Sequence, residues 1–320
     1  MASDPVNLRR LKGIVIKTTG MRVMVMDPSG GITECHLKGQ FRIHDFRTTN
    51  PVAVGDIVGF DLPENQKYGV IHTIEERHNY IIRKATKLSR ASHIIASNID
   101  MLYVIASIEQ PRTSSGFIDR VLVTAEAYHI PAVVVFNKTD LYSGDSRDRY
   151  LRLMKLYKEI GYGAFAVSAL NGSGVEQLKS ELKDKVNLFV GHSGVGKSEL
   201  INKIDPFLKL RTGFISDYHQ KGMHTTTFAE MHPLTGGGFI VDTPGIKEFG
   251  LVYFESREVA ERFPEFRQLL PLCHYKNCTH IHEPGCAVKV ALEEGKIDRG
   301  RYSNYLSILN DQNLDVVEYS

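Results

Sequence analysis

Gly191-His192-Ser193-Gly194-Val195-Gly196-Lys197-Ser198 has Gly, four residues, Gly, Lys and Ser at every position that a phosphate-binding loop fixes. The short apolar run 187–190 in front of it reads as a buried strand. Residues 198–204 behind it have helical spacing. Strand, glycine-rich loop and helix is the context the pattern requires. The glycines let the loop curl until backbone N–H groups face phosphate oxygens, and the helix N-terminus adds positive potential. Lys197 is expected to reach the terminal phosphates, the Ser198 hydroxyl to ligate Mg²⁺, and the stretch from Val190 onward to line the nucleotide.

Outward from this loop the chain alternates. Runs 101–106, 131–136, 164–167 and 187–190 read as strands, while 117–129, 151–160, 175–182 and 198–204 read as helices. Alternation of this kind predicts a mainly parallel sheet with helices on both faces. Further strands are expected at 227–231 and 239–241, and Asp242-Thr243-Pro244-Gly245 ends the second of them. A carboxylate at the C-terminal end of a buried strand is where such a loop's partner holds Mg²⁺. Asn137-Lys138-Thr139-Asp140 follows the strand 131–136. There Asp140 can accept from N1–H and the exocyclic amine of guanine, a donor pair that adenine lacks. Asn137 would support the loop and the base, and the Lys138 stem would cover the ring. Ser168-Ala169-Leu170 fits the partner loop, with the Ala169 N–H approaching guanine O6.

The flanks differ. Before residue 76, five short runs (13–17, 22–26, 32–37, 54–60 and 68–74) predict a small closed barrel of the oligonucleotide-binding type, with a turn at 18–20. Residues 77–90 carry Arg77, Arg83, Lys84, Lys87 and Arg90 and no acid, and read as a basic linker, either a solvated connector or a nucleic-acid contact. Beyond 250 the pattern is helical. Cys273, Cys278 and Cys286 crowd together there with His280, His274 and His282 nearby. Three thiolates and one imidazole make a closed, structural Zn²⁺ set, and spacing leaves the choice of histidine open. Cys35 reads as a core residue.

Composition narrows the classes. The 320 residues are 42% hydrophobic, with 39 Lys+Arg against 37 Asp+Glu, four Cys and no Trp. That excludes a wholly disordered chain and a disulfide scaffold. No apolar run reaches the roughly 18 residues a membrane span needs, and no secretory signal opens the chain, so a cytoplasmic protein without membrane contact is expected. No feature demands an oligomer, and a monomer is expected.

The order of the elements is informative. In ordinary GTPases the phosphate loop comes first. Here the guanine loops (137–140 and 168–170) precede it, followed by Gly222-Met223-His224-Thr225-Thr226-Thr227 and then 242–245. With a barrel in front and a Cys/His cluster behind, the whole chain resembles the RsgA (YjeQ) family of circularly permuted, ribosome small-subunit-dependent GTPases. The resemblance implies a first switch at 222–227, with Thr226 closing on Mg²⁺ and the γ-phosphate and His224 assisting hydrolysis. It implies that the zinc ligands are Cys273, Cys278, His280 and Cys286. It also places Ile246 where many GTPases carry a water-orienting Gln, so slow intrinsic hydrolysis accelerated by an external partner is expected.

The reading is thus a three-part, multidomain chain. Residues 1–76 form an oligonucleotide-binding-like barrel, 77–250 a permuted α/β GTPase domain, and 251–320 a helical zinc domain. The expected cofactors are GTP/GDP, Mg²⁺ and one structural Zn²⁺. The expected partner is the small ribosomal subunit with its rRNA. Arg9, Arg10, Lys12, Arg42 and Arg47 of the barrel are candidates for a composite RNA surface. So are Arg257, Arg262, Arg267, Lys276, Lys289, Lys296, Arg299 and Arg301 around the zinc cluster, with a solvated surface as the alternative. The rival functional reading is an rRNA-binding scaffold in which guanine nucleotide is only a conformational switch.

Overall fold

Five strands open the chain: β1 (Leu8–Thr19), β2 (Arg22–Met26), β3 (Ile32–Leu37), β4 (Ile57–Pro63) and β5 (Tyr68–Ile74). They belong to a computed structural model that describes residues 8–19, 22–38, 51–63, 66–83, 93–210, 229–243 and 256–317. The first half of β1 pairs antiparallel with β4 and the second half with β2; β3 pairs parallel with β5, and β5 antiparallel with β4, which closes the ring. A register break between Val15 and Lys17 lets one strand serve both neighbours. Val15, Val23, Val25, Val58, Phe60 and Ile71 fill the interior together with Cys35. Burial pushes the Cys35 thiol up to about 12, as suits a core residue.

Two boundaries in this region differ from expectation. Thr18 and Thr19 are not a turn but the last rungs of β1, paired with Val23 and Arg22. Val54 lies outside β4 and makes a lone parallel bridge to Ala96. The break is at Gly55, whose φ of +94° and approach to the Ser97 carbonyl exclude a side chain.

The expected linker is partly sheet. β6 (Tyr80–Arg83) and β7 (His93–Ser97) pair antiparallel. Arg77 is no solvated cation: its guanidinium lies 2.7 Å from both oxygens of the fully buried Asp56, which also accepts from Ser97 Oγ at 2.6 Å. It therefore ties barrel to connector and is not free to bind RNA. Lys84, Lys87 and Arg90 lie outside the described residues, as do Arg42 and Arg47.

The central sheet takes β8 (Met101–Ala106), β9 (Ala132–Phe136), β10 (Gly163–Ala166), β11 (Val186–Val190), β12 (Glu230–Pro233) and β13 (Phe239–Asp242). Its spatial order is β10-β9-β8-β11-β13-β12, all parallel except β12. Helices α1 (Ser115–Ala127) and α2 (Gly144–Ile160) bury Ile118, Val121, Leu122 and Tyr157 against one face. On the other face α3 (Val175–Leu182) and α4 (Lys197–Ile204) bury Leu178, Leu182, Leu200 and Ile201. The phosphate-loop strand β11 thus lies mid-sheet, with the earlier strands on one side and the later ones on the other. This is the arrangement a permuted chain requires. β12 also pairs with β1 at Glu230 and Lys17, whose side chains form an ion pair of 3.1 Å, so the barrel docks on the sheet edge.

The C-terminal part holds α5 (Ser256–Glu261), α6 (Pro264–Arg267), α7 (Ala287–Glu293) and α8 (Arg299–Val317). Val259, Phe263, Phe266, Tyr305, Ile308 and Leu309 share one core with Val123 of α1.

Candidate functional site

The parallel strands bring the expected site residues to one edge. Asn137 follows β9, Ser168 follows β10, the phosphate loop follows β11, and Asp242 ends β13. Strand carboxyl ends beside a topological switch point are where open α/β sheets bind ligands. Register places the carboxylate expected to face a metal: Asp242 pairs with Phe189, one residue before Val190.

Asn137 is fully buried and joins three loops. Its Nδ2 donates to the Val195 carbonyl at 2.9 Å, and its Oδ1 accepts from the Ala169 N–H at 3.1 Å. The N–H expected to face guanine O6 is therefore engaged with Asn137 in this structure. Gly196 makes the junction feasible: with φ of +91°, a Cβ there would lie 2.5 Å from Asn137 Nδ2. Lys138 donates through Nζ to the carbonyls of Gln110 and Gly194, and the Thr139 hydroxyl donates to the Val167 carbonyl at 3.0 Å. Asp140 Oδ1 accepts from Ser168 Oγ at 2.5 Å, which fixes the carboxylate and leaves Oδ2 for a ligand.

In the phosphate loop, Lys197 Nζ donates to the carbonyls of Gly191 and His192 at 2.6 and 3.1 Å. Burial lowers the pKa of this ammonium, and the field of Asp242 works against that shift. Burial raises the Asp242 pKa, with Lys197 opposing, and Asp242 Oδ1 is buried without a hydrogen-bond partner. A buried cation held by neutral carbonyls and a buried carboxylate oxygen with no donor fit a phosphate chain and a divalent ion. Ser198 and His192 to Val195 lie on the same loop, and the His192 ring packs on Phe117 of α1 with centroids 3.9 Å apart. Phe117 was not among the expected site residues; its place beside Ile118 on an apolar stripe marks it only as core. Thr243 Oγ1 donates to the Phe189 carbonyl at 3.0 Å and holds the chain after β13. His224, Thr226, Gly245 and Ile246 lie outside the described residues.

The second centre is the Cys/His cluster. The ligand atoms of Cys273, Cys278, His280 and Cys286 all lie within 4.8 Å of one another. His280 Nδ1 is 3.4 Å from Cys286 Sγ and 3.7 Å from Cys273 Sγ. Zn–S bonds of about 2.3 Å in a tetrahedron set ligand atoms roughly 3.8 Å apart, so these residues fit zinc. Burial pushes the Cys278 thiol up to about 12 and raises Cys286 as well. A metal that binds thiolates offsets that penalty. Of the three histidines, His280 joins the cluster; His274 stacks edge-on with Tyr275 instead. Glu283, which spacing did not reveal, organises the loop. It accepts from Thr279 N and Oγ1 and from the N–H groups of Ile281 and His282, and these bonds hold its carboxyl at about 2. Tyr302 and Tyr305 donate to the carbonyls of His280 and Thr279 at 2.6 and 2.7 Å.

The basic flanks need correction. Arg301 is 1% exposed, with Nη1 2.7 Å from Asp119, Nε 2.7 Å from Glu265, and its guanidinium 4.6 Å over the Phe263 ring. It binds the C-terminal helical part to α1 and cannot be an RNA-facing cation. Arg10, Lys12, Arg257, Arg267 and Lys296 each pair with an acid but stay more than half exposed, so they remain candidates for an RNA surface.

Comparison with known proteins is consistent across the chain. The RsgA N-terminal domain matches residues 12–71 and the RsgA GTPase matches residues 74–252. A Phocaeicola vulgatus protein named small ribosomal subunit biogenesis GTPase RsgA is 51% identical over 302 residues, 94% of this chain and 97% of its own. A Flavobacterium psychrophilum protein of the same name is 49% identical, covering 93% of this chain and 92% of its own. Among solved structures, YjeQ from Thermotoga maritima superposes with a TM-score of 0.77 at 34% identity, covering 95% of this chain and 98% of that one. YloQ, described as a circularly permuted GTPase, gives 0.73 at 28% identity over 97% of both chains.

Proposed function

The chain belongs to the RsgA GTPase family and is a GTP-hydrolysing enzyme, and from that premise we propose that it acts on the small ribosomal subunit during its maturation. The observation that carries the nucleotide assignment is the meeting of Asn137, Asp140, Lys197 and Asp242 at the carboxyl ends of neighbouring strands. Relatives sharing about half of their residues are named for small-subunit biogenesis, which supports the partner. No described helix is long and apolar enough to cross a membrane, and the cytoplasm, where ribosomes assemble, is the proposed place of action.

In this reading the division is a barrel to residue 76, a GTPase domain to 250 and a zinc domain thereafter. Asp140 selects guanine. Backbone N–H groups from Gly191 to Ser198, with Lys197, cradle the phosphates and gather the charge that develops as the terminal phosphoryl leaves. Ser198, Thr226 and Asp242 are the proposed holders of Mg²⁺, which supplies charge neutralisation across the β- and γ-phosphates when bound. His224 is the proposed aid to the attacking water, since Ile246 has no polar atom to orient it. Cys273, Cys278, His280 and Cys286 hold a structural zinc.

Nucleotide competition tests the site. GTP and GDP are expected to displace a labelled guanine nucleotide where ATP does not. Asp140→Ala should weaken guanine binding roughly 10- to 100-fold, the worth of about one hydrogen bond to a charged acceptor. Equal displacement by ATP in the native protein would overturn the assignment.

A further inference from the structure

A cleft of about 240 Å³ lies where α1, α2 and the start of α8 meet, and none of its lining residues belongs to either centre described above. Arg149 and Arg152 of α2 form one wall, and Ser115, Arg301 and Asn304 stand opposite. Spacing three residues apart on a helix puts the two guanidinium groups on one face, about 5–6 Å apart at Cβ. Arg112, from the loop that leads into α1, lies within electrostatic reach of Arg149. Among the described residues no carboxylate lies within ion-pair distance of these three arginines.

The acids of the cleft are already engaged. Asp119 faces Arg301 at 2.7 Å and accepts from Tyr157 and Asn304 at 2.9 and 2.5 Å. Asp298 accepts the Arg301 N–H at 3.0 Å and caps α8. On α2 itself, Glu159 pairs with Lys155 at 3.6 Å, while Asp145 and Asp148 lie one turn before Arg149 and Arg152 without reaching ion-pair distance of them. Arg149 and Arg152 are therefore the lining cations left without an ion-pair partner among the described residues. Burial and its two arginine neighbours both lower the Arg149 pKa, an arrangement that an anion relieves.

We infer that this cleft is a docking surface for the phosphodiester backbone of RNA, with Arg149 and Arg152 as its principal contacts and Arg112 at the rim. Planar guanidinium groups suit phosphate oxygens better than any other side chain. The cleft has room for a phosphate and the sugar beside it. Its position at the seam of the GTPase and zinc domains lets one RNA strand touch both. The inference deepens the small-subunit reading and rests on it for the RNA's source.

The test uses the full zinc-loaded chain with two probes, isolated small ribosomal subunits and a short A-form RNA duplex, over a salt series. Arg149→Gln with Arg152→Gln is expected to weaken binding about tenfold or more at moderate salt. The slope of log affinity against log salt should become shallower by about 1.4–1.8, since each of the two lost phosphate contacts removes roughly 0.7–0.9. Arg149→Lys with Arg152→Lys should keep most of the slope, and basal GTP turnover should be the same in all forms. Unchanged affinity and slope in the Gln pair would overturn the inference. So would an equal loss in the Lys pair, which would assign the effect to packing. If the native chain binds the duplex in an arginine-dependent way but not the subunits, the small-subunit reading falls and the RNA surface stands. If it binds neither probe, both fall.

Discussion

Arg301 is the residue on which the seam between the GTPase and zinc domains turns. Its guanidinium is buried between Asp119 of α1 and Glu265 of α6, and it stacks on Phe263. Removing one partner of such a group leaves an uncompensated buried charge, at a cost of about 3–5 kcal/mol. Arg301→Met is thus expected to destabilise the protein by about that amount in denaturant titration, and adding Asp119→Asn with Glu265→Gln should restore part of it. An effect under about 1 kcal/mol would place the ion pair at the surface energetically. The sequence held one hint of this burial, an acid (Asp119) within the apolar stripe of α1, but its partner is far away in the chain and spacing cannot reach it. Asp242 gives a pH signature. Burial raises its folded pKa, so without a cation its contribution to stability is present below the ordinary carboxylate range and fades as pH rises through the raised value. A divalent cation favours the ionised form. The tightening of nucleotide binding by Mg²⁺ should therefore grow as pH rises through that range, and Asp242→Asn should flatten the growth beyond what the nucleotide's own titration explains. That Asn137, Asp140, Lys197 and Asp242, the residues proposed for the phosphate and base sites, come together was legible because their chemistry is local to short motifs.

Elements with a clean period were read with the bounds the structure gives: β3, β5, β8 and α3 match residue for residue. Others failed for identifiable reasons. Helix α2 begins at Gly144 and not at 151, because its first two turns carry Asp145, Arg147, Asp148 and Arg149 with Tyr150 alone as an apolar residue. Periodicity has nothing to register there; the reciprocal cap between Ser143 and Ser146 was the available signal. The β6–β7 pair was hidden by the basic residues around it. The zinc segment was legible as a ligand set, whereas its support by Glu283, Tyr302 and Tyr305 depends on contacts across up to 26 residues. That support makes a prediction about metal removal. A strong chelator combined with a thiol-reactive probe should release a single zinc ion per chain, unmask Cys273, Cys278 and Cys286, and lower the melting temperature of the helical domain, while Cys35 stays unreactive in the barrel core. Release without loss of helical signal would mean that the core of Phe263, Phe266 and Tyr305 holds the domain unaided.

Across the whole molecule, the permutation decides what can talk to what. The barrel enters the central sheet through β1 and β12, next to the strand that ends in Asp242. The zinc domain rests on α1, whose Phe117 touches His192 of the phosphate loop and whose Asp119 holds Arg301. Both flanking parts therefore meet the central sheet through elements next to residues proposed to hold the nucleotide, Asp242 on one side and His192 on the other. A partner that grips barrel, cleft and zinc domain together can thus reach the site from two sides. Such an arrangement suits an enzyme whose hydrolysis waits on its partner, as Ile246 already suggests. GTP turnover by the full chain should be measured alone, with purified small ribosomal subunits and with large ones, using Lys197→Ala as the blank. Slow basal turnover, strongly raised by small subunits and unmoved by large ones, is the expected result. Turnover that is already fast alone, or that small subunits leave unchanged while GTP stays bound, would contradict it and favour a scaffold switched by nucleotide binding.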